Sequence, residues 1–188
     1  FREIIGSHME RDAELTVATI PVGREFAPGF GIMHNDEQGR ISRFVEKPGT
    51  PELLDSLKLP AEQLAKQELE SGSDHYLASM GIYLFNRQTL IELLENEMTD
   101  FGKHIIPRSI GTHRVYSFVY QGYWEDIGTI RAFFEANLDM TATMPQFDFF
   151  QMETPVYTRP RFLPASKING AAIDQAIISD GCIIDRSR

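Results

Sequence analysis

Leu15-Thr16-Val17-Ala18-Thr19-Ile20 is apolar or β-branched on both sides of an extended chain. A strand of that kind has no face to offer water, so it has to lie inside a sheet covered on both sides. The segments around it must therefore supply strand partners and two covering layers.

The flanking pattern provides them. Residues 1–12 read as a helix with Phe1, Ile4, Ile5, His8 and Met9 on one face. Gly6-Ser7-His8-Met9 spells a common expression-vector scar, but the apolar face begins upstream of it, so the segment is read as part of the fold. Pro21, Gly23, Pro28 and Gly29 mark a loop. Phe30 to Met33 and Arg40 to Val45 form a hairpin about Asn35-Asp36-Glu37-Gln38-Gly39, where Gly39 supplies a positive φ.

Residues 50–71 are acidic and helical, with Thr50 as N-cap and Pro51 in the first turn. Pro60 restarts a second helix through Leu64 and Leu69. Tyr76 to Phe85 is a strand interrupted by Ser79 and Gly81, and glycine inside a strand often marks a close approach by ligand or backbone. A helix on Leu90, Leu93 and Leu94 spans 87–97, and Arg114 to Tyr120 alternates like a strand. Gly128 and Thr129 open a helix whose inner face is Ile130, Phe133, Phe134 and Leu138. Strands alternating with helices predict an α/β sandwich with a mixed, mostly parallel sheet over 1–140.

Beyond it the pattern changes. Residues 141–168 carry Pro145, Pro155, Pro160 and Pro164 and read as an extended linker. In 169–188, Ala172, Ile178 and Ile184 recur every six residues, with Ala176 and Cys182 at the small position between them. That period is the hexapeptide signature of a β-helix, of which about one turn is present.

Composition narrows the function. A net charge of −9 disfavours nonspecific nucleic-acid or anionic-membrane binding. Cys182 is the single cysteine, which rules out an internal disulfide, fits a reducing compartment, and makes it a core residue rather than a nucleophile. No apolar run approaches the ~20 residues of a membrane span, and no signal peptide is visible. The chain, opening on Phe1, is expected to be a soluble cytosolic piece of something longer.

Three segments could carry chemistry. Phe44-Val45-Glu46-Lys47-Pro48 delivers an acid and a base to a strand end. Lys47 could pair with a phosphate and Glu46 could accept from sugar hydroxyls, although spacing alone favours a solvated charge pair. In Trp124-Glu125-Asp126-Ile127-Gly128-Thr129, Asp126 could hold a hard cation such as Mg²⁺ or merely serve the helix start. Ser79-Met80-Gly81 puts a hydroxyl and a bare backbone mid-strand, for a ligand or for packing. None of the five histidines has zinc-ligand spacing, and no G-x-S-x-G elbow, Walker A or G-x-G-x-x-G loop is present.

Taken together, Phe30-Gly31-Ile32-Met33, Phe44-Val45-Glu46-Lys47-Pro48, Ala78-Ser79-Met80-Gly81-Ile82-Tyr83, Asp100-Phe101-Gly102, Tyr123 to Thr129 and Arg161-Phe162-Leu163-Pro164 resemble the ADP-glucose pyrophosphorylases. The acidic insert after Pro48 and the Pro160 to Ile168 segment look like the cyanobacterial and plant branch. The resemblance implies a partial Rossmann-like nucleotidyltransferase sandwich followed by the first turn of a left-handed β-helix. It implies the adenylyl transfer that joins ATP and glucose 1-phosphate into ADP-glucose and pyrophosphate, in glycogen or starch synthesis, with Mg²⁺.

By resemblance Glu46 binds glucose hydroxyls, Lys47 the sugar phosphate, Ser79 and the Gly31 backbone line the sugar pocket, and Asp126 is one of two metal-holding aspartates. The Gly-rich ATP loop, the other aspartate and most of the β-helix have no counterpart in this sequence. The chain is therefore expected to hold the sugar-phosphate half of the site and to be inactive alone. The parent enzyme is expected to be a cytoplasmic, or in a plant plastidic, homo- or hetero-tetramer under allosteric control. A noncatalytic regulatory subunit, or a nucleotidyltransferase for another sugar 1-phosphate or nucleotide, are the alternatives.

Overall fold

The doubly apolar run lies at the heart of the sheet in the computed structural model, which describes residues 1–67, 74–153 and 155–186. The chain divides into two compact units, Phe1–Gln121 and Gly122–Arg188.

In the first unit, α1 (Arg2–Glu10) leads into β1 (Leu15–Gly23), followed by the hairpin β2 (Gly31–Asn35) and β3 (Ile41–Glu46). Two short helices follow, α2 (Pro51–Asp55) and α3 (Ala61–Lys66). Thr50 caps α2 by accepting from the Leu53 amide at 3.3 Å. The expected continuation of the second helix through Leu69 lies outside the described residues. Then come β4 (His75–Phe85), α4 (Arg87–Leu94), a π-turn (Phe101–Ile105), α5 (Ile106–Ile110) and β5 (Val115–Val119).

The five strands form one mixed sheet in the order β3-β2-β4-β1-β5. Its mixed character is as expected, but the expectation of a mostly parallel sheet is corrected. Only β1–β5 is parallel, while β1–β4, β2–β3 and β2–β4 are antiparallel. A tight hairpin forces β2 and β3 to be antiparallel. Strand β4 then enters between β2 and β1 running against both.

Both faces of the sheet are covered. Leu15, Val17, Met33, Ile41, Phe44 and Val115 pack with Ile106 of α5 on one side. Ile32, Tyr76 and Ala78 pack with Leu54 and Leu57 on the other. The sheet also curls: the hairpin tip reaches β5 through an Arg40–Tyr116 bridge and a 3.1 Å bond from the Ser117 amide to the Gly39 carbonyl. Helix α1 belongs to the fold, since Ile4 and His8 are buried, although Phe1, Ile5 and Met9 of the expected apolar face are exposed.

The second unit contains α6 (Ile130–Asp139) and the short strands β6 (Lys167–Asn169) and β7 (Ile183–Asp185). Thr129 caps α6, as expected, by accepting from the Ala132 amide at 3.1 Å. The expected inner face of α6 is corrected: Ile130, Phe133, Phe134 and Leu138 are all more than half exposed. An apolar stripe records what a helix could bury, not that something covers it. Residues 141–166 contain no helix or strand among those described. The β-helix start is only weakly visible, as the parallel β6–β7 pair with Ile168 opposite Ile184.

Candidate functional site

The antiparallel register of the hairpin sets Glu46, the last residue of β3, directly opposite Gly31, the first of β2. The Glu46 side chain folds back across its partner. A β-carbon on Gly31 would stand 2.7 Å from Glu46 Oε2 and would collide with the Phe44 ring. Glycine is thus the residue that leaves room for both groups.

A second glycine closes in from the π-turn. A β-carbon on Gly102 would stand 2.6 Å from Glu46 Oε2 and 3.1 Å from its Cδ. The half-buried carboxylate of Glu46 therefore lies between two bare stretches of backbone. Asp100 organises that turn: it accepts from the Lys103 amide at 2.8 Å, with its other oxygen 4.0 Å from Lys103 Nζ. The backbone bond from Lys103, then the charges and amides around it, hold the Asp100 carboxyl below its usual range.

Aromatic packing fixes the turn against the sheet. Phe101 stacks on Tyr83 of β4, centroids 5.7 Å apart and planes within 16°, and lies 5.9 Å from Phe85. Burial pushes the Tyr83 phenol above its ordinary value, a hydrogen bond with Ser79 opposes that, and the Glu46 and Asp100 carboxylates add to it. Tyr83 thus stays protonated at neutral pH and can donate.

Ser79 comes to this place through an irregularity in β4. Val17 pairs with Tyr83 and Thr19 with Ser79, so Met80, Gly81 and Ile82 bulge opposite Ala18 alone. Such bulges re-aim side chains. Gly81 makes this one possible with φ +71°, and its amide donates to Ser79 Oγ at 3.3 Å.

Lys47 follows at the strand end with φ +49°, a region that costs a side-chain-bearing residue roughly 1–2 kcal/mol. Its amide donates to the Phe30 carbonyl at 3.0 Å, which holds the backbone there. The side chain is exposed and makes no ion pair among the described residues.

Of the residues picked from sequence, Gly31, Glu46 and Ser79 share this neighbourhood and Lys47 adjoins it. Asp126 belongs to the second unit, where it is exposed and accepts from the Gly128 amide at 3.1 Å. That bond leaves its second oxygen open, a hard donor of the kind a divalent cation takes. No group of three or more His, Cys, Asp or Glu side chains placed to hold a metal occurs among the described residues.

Gly102, Asp100 and Tyr83 also belong to this neighbourhood, and their only local signal in the sequence is the Asp-Phe-Gly order and a tyrosine four residues after Ser79. A cavity of about 320 Å³ lined by Arg11, Asn35, Gln38, Gln63 and Ser117 sits at the hairpin tip, the far end of β3 from Glu46.

Residues 1–143 match the family described as Nucleotidyl transferase. The chain is also 40% identical, over 189 residues and 98% of its own length, to the glucose-1-phosphate adenylyltransferase small subunit, chloroplastic/amyloplastic, of Triticum aestivum. It spans 40% of the length of that relative.

Proposed function

Because the chain belongs to the nucleotidyl transferase family, we propose that it carries the sugar-phosphate half of a glucose-1-phosphate adenylyltransferase site. In that reaction a phosphate oxygen of glucose 1-phosphate attacks the α-phosphorus of ATP. The bond to the bridging oxygen breaks and pyrophosphate leaves with its electron pair. Catalysis of this type rests on positioning and charge neutralisation.

The observation that carries the reading is the Glu46 carboxylate set between Gly31 and Gly102 beside the Ser79 and Tyr83 hydroxyls. An acceptor and two hydroxyls suit the hydroxyls of a hexose. The Lys47 ammonium, one residue on, suits its phosphate ester. Asp126 has the chemistry to hold a divalent cation, which when bound would offset charge on the phosphates. The relative's name extends the proposal to assembly with other subunits and to a plastid in plants.

In the full-length protein, Lys47→Ala should raise the KM for glucose 1-phosphate by roughly 10² or more, with the KM for ATP nearly unchanged. An unaltered sugar-phosphate KM would remove the assignment.

A further inference from the structure

We propose that Gly102 is a positioning residue for Glu46, its missing side chain fixing where the carboxylate presents itself to the sugar. The inference rests on the reading of Glu46 given above and adds a residue that acts through that carboxylate.

Two glycines border the carboxylate, and they differ in what a methyl group would disturb. At Gly31 a β-carbon meets the Phe44 ring, which is 7% exposed and packed in the core, so Ala there would strain the fold itself. At Gly102 the atoms in the way are Glu46 Oε2 at 2.6 Å and Cδ at 3.1 Å, with Asp100 Oδ1 at 3.6 Å in ordinary contact. The obstacle is the free end of a flexible side chain. Gly102 has no left-handed φ, so its backbone accepts alanine. Ala also suits a helical turn better than Gly.

The structure therefore separates two effects that a glycine substitution usually mixes. Gly102→Ala should leave the fold standing and push Glu46 aside. Displacing a group by about 1 Å can cost a reaction roughly 10²-fold.

The test uses the full-length protein and four variants: Gly102→Ala, Glu46→Ala, the double variant, and Lys47→Ala as control. Gly102→Ala is expected to keep or raise the melting temperature while raising the glucose 1-phosphate KM at least 10-fold, with the ATP KM within about 2-fold. In the Glu46→Ala background it should add nothing further, because contacts that act through one another are not additive. If Gly102→Ala fails to fold, Glu46→Ala must rescue it, since removing the obstacle removes the clash. A normal sugar-phosphate KM in Gly102→Ala beside a raised one in Lys47→Ala overturns the inference and leaves the functional reading intact. Full additivity with Glu46→Ala, or an unrescued fold, overturns it as well. If neither Lys47→Ala nor Glu46→Ala moves that KM, the functional reading fails and the inference with it.

Discussion

His8 Nε2 lies 3.2 Å from Asn86 Oδ1, joining α1 to the residue that opens α4. Asn86 Nδ2 donates to the Ala13 carbonyl at 3.1 Å, so Oδ1 faces His8 and the Nε2 proton points at it. In the neutral ring Nδ1 then accepts from Thr16 Oγ1 at 2.8 Å. One imidazole thus ties three elements together.

His8→Ala should therefore lower unfolding stability by about 1–3 kcal/mol, because the Thr16 hydroxyl, 1% exposed, loses its partner. Urea unfolding measures this as a lower midpoint at constant slope. An unchanged midpoint would mean that α1 is not part of the cooperative unit.

The left-handed backbone of Lys47 makes a second prediction. Lys47→Ala and Lys47→Gly both remove the ammonium, yet glycine adopts φ +49° without the steric cost. Lys47→Gly should be the more stable of the two by about 1 kcal/mol, with both equally poor in sugar-phosphate KM. Equal stabilities would show that the strain is relieved in solution.

A third prediction concerns acid. Asp74 bonds Lys58 and stands 3.2 Å from Arg24, which also grips Asp55. The Lys58 bond, opposed by desolvation and helped by Arg24, holds the Asp74 carboxyl below its ordinary 3.8; the Asp74 bond in turn raises Lys58, while Arg24 is raised chiefly by its bond to Asp55. The folded protein therefore binds this proton less readily than the unfolded chain. The stabilisation is complete above pH ~4 and is lost as pH falls through the lowered value. Asp74→Asn should lose less stability than the parent between pH 5 and 3, and 0.5 M salt should shrink the difference. Parallel acid limbs would show that the pair contributes nothing.

Strands were legible in the sequence wherever the signal was local. The run at 15–20, the hairpin about Gly39 and the alternation at 115–119 each fix their element by side-chain pattern, and the hairpin register then places Gly31 against Glu46. Strand direction was not legible, because the order β3-β2-β4-β1-β5 depends on partners distant in sequence. The turn at 100–110 escaped for a related reason. It combines a π-turn, Pro107 and a buried face of Gly102, Ile105, Ile106 and Ser109, in which a glycine and a serine stand at two of the positions where large apolar residues would mark a helix. The contact between Gly102 and Glu46 follows from Phe101 stacking on Tyr83, a tertiary event that neither segment announces by itself.

The bridge between Arg40 and Tyr116 has a mechanical meaning for the other end of β3. A two-stranded arm fastened only at its base could swing, but this one is pinned at the tip to β5 and, through Ile32 and Met33 of β2, to β4. Glu46 and Lys47 consequently stand at the end of a braced spar. A ligand meeting them there would find the backbone already set, so little ordering entropy would be subtracted from its affinity.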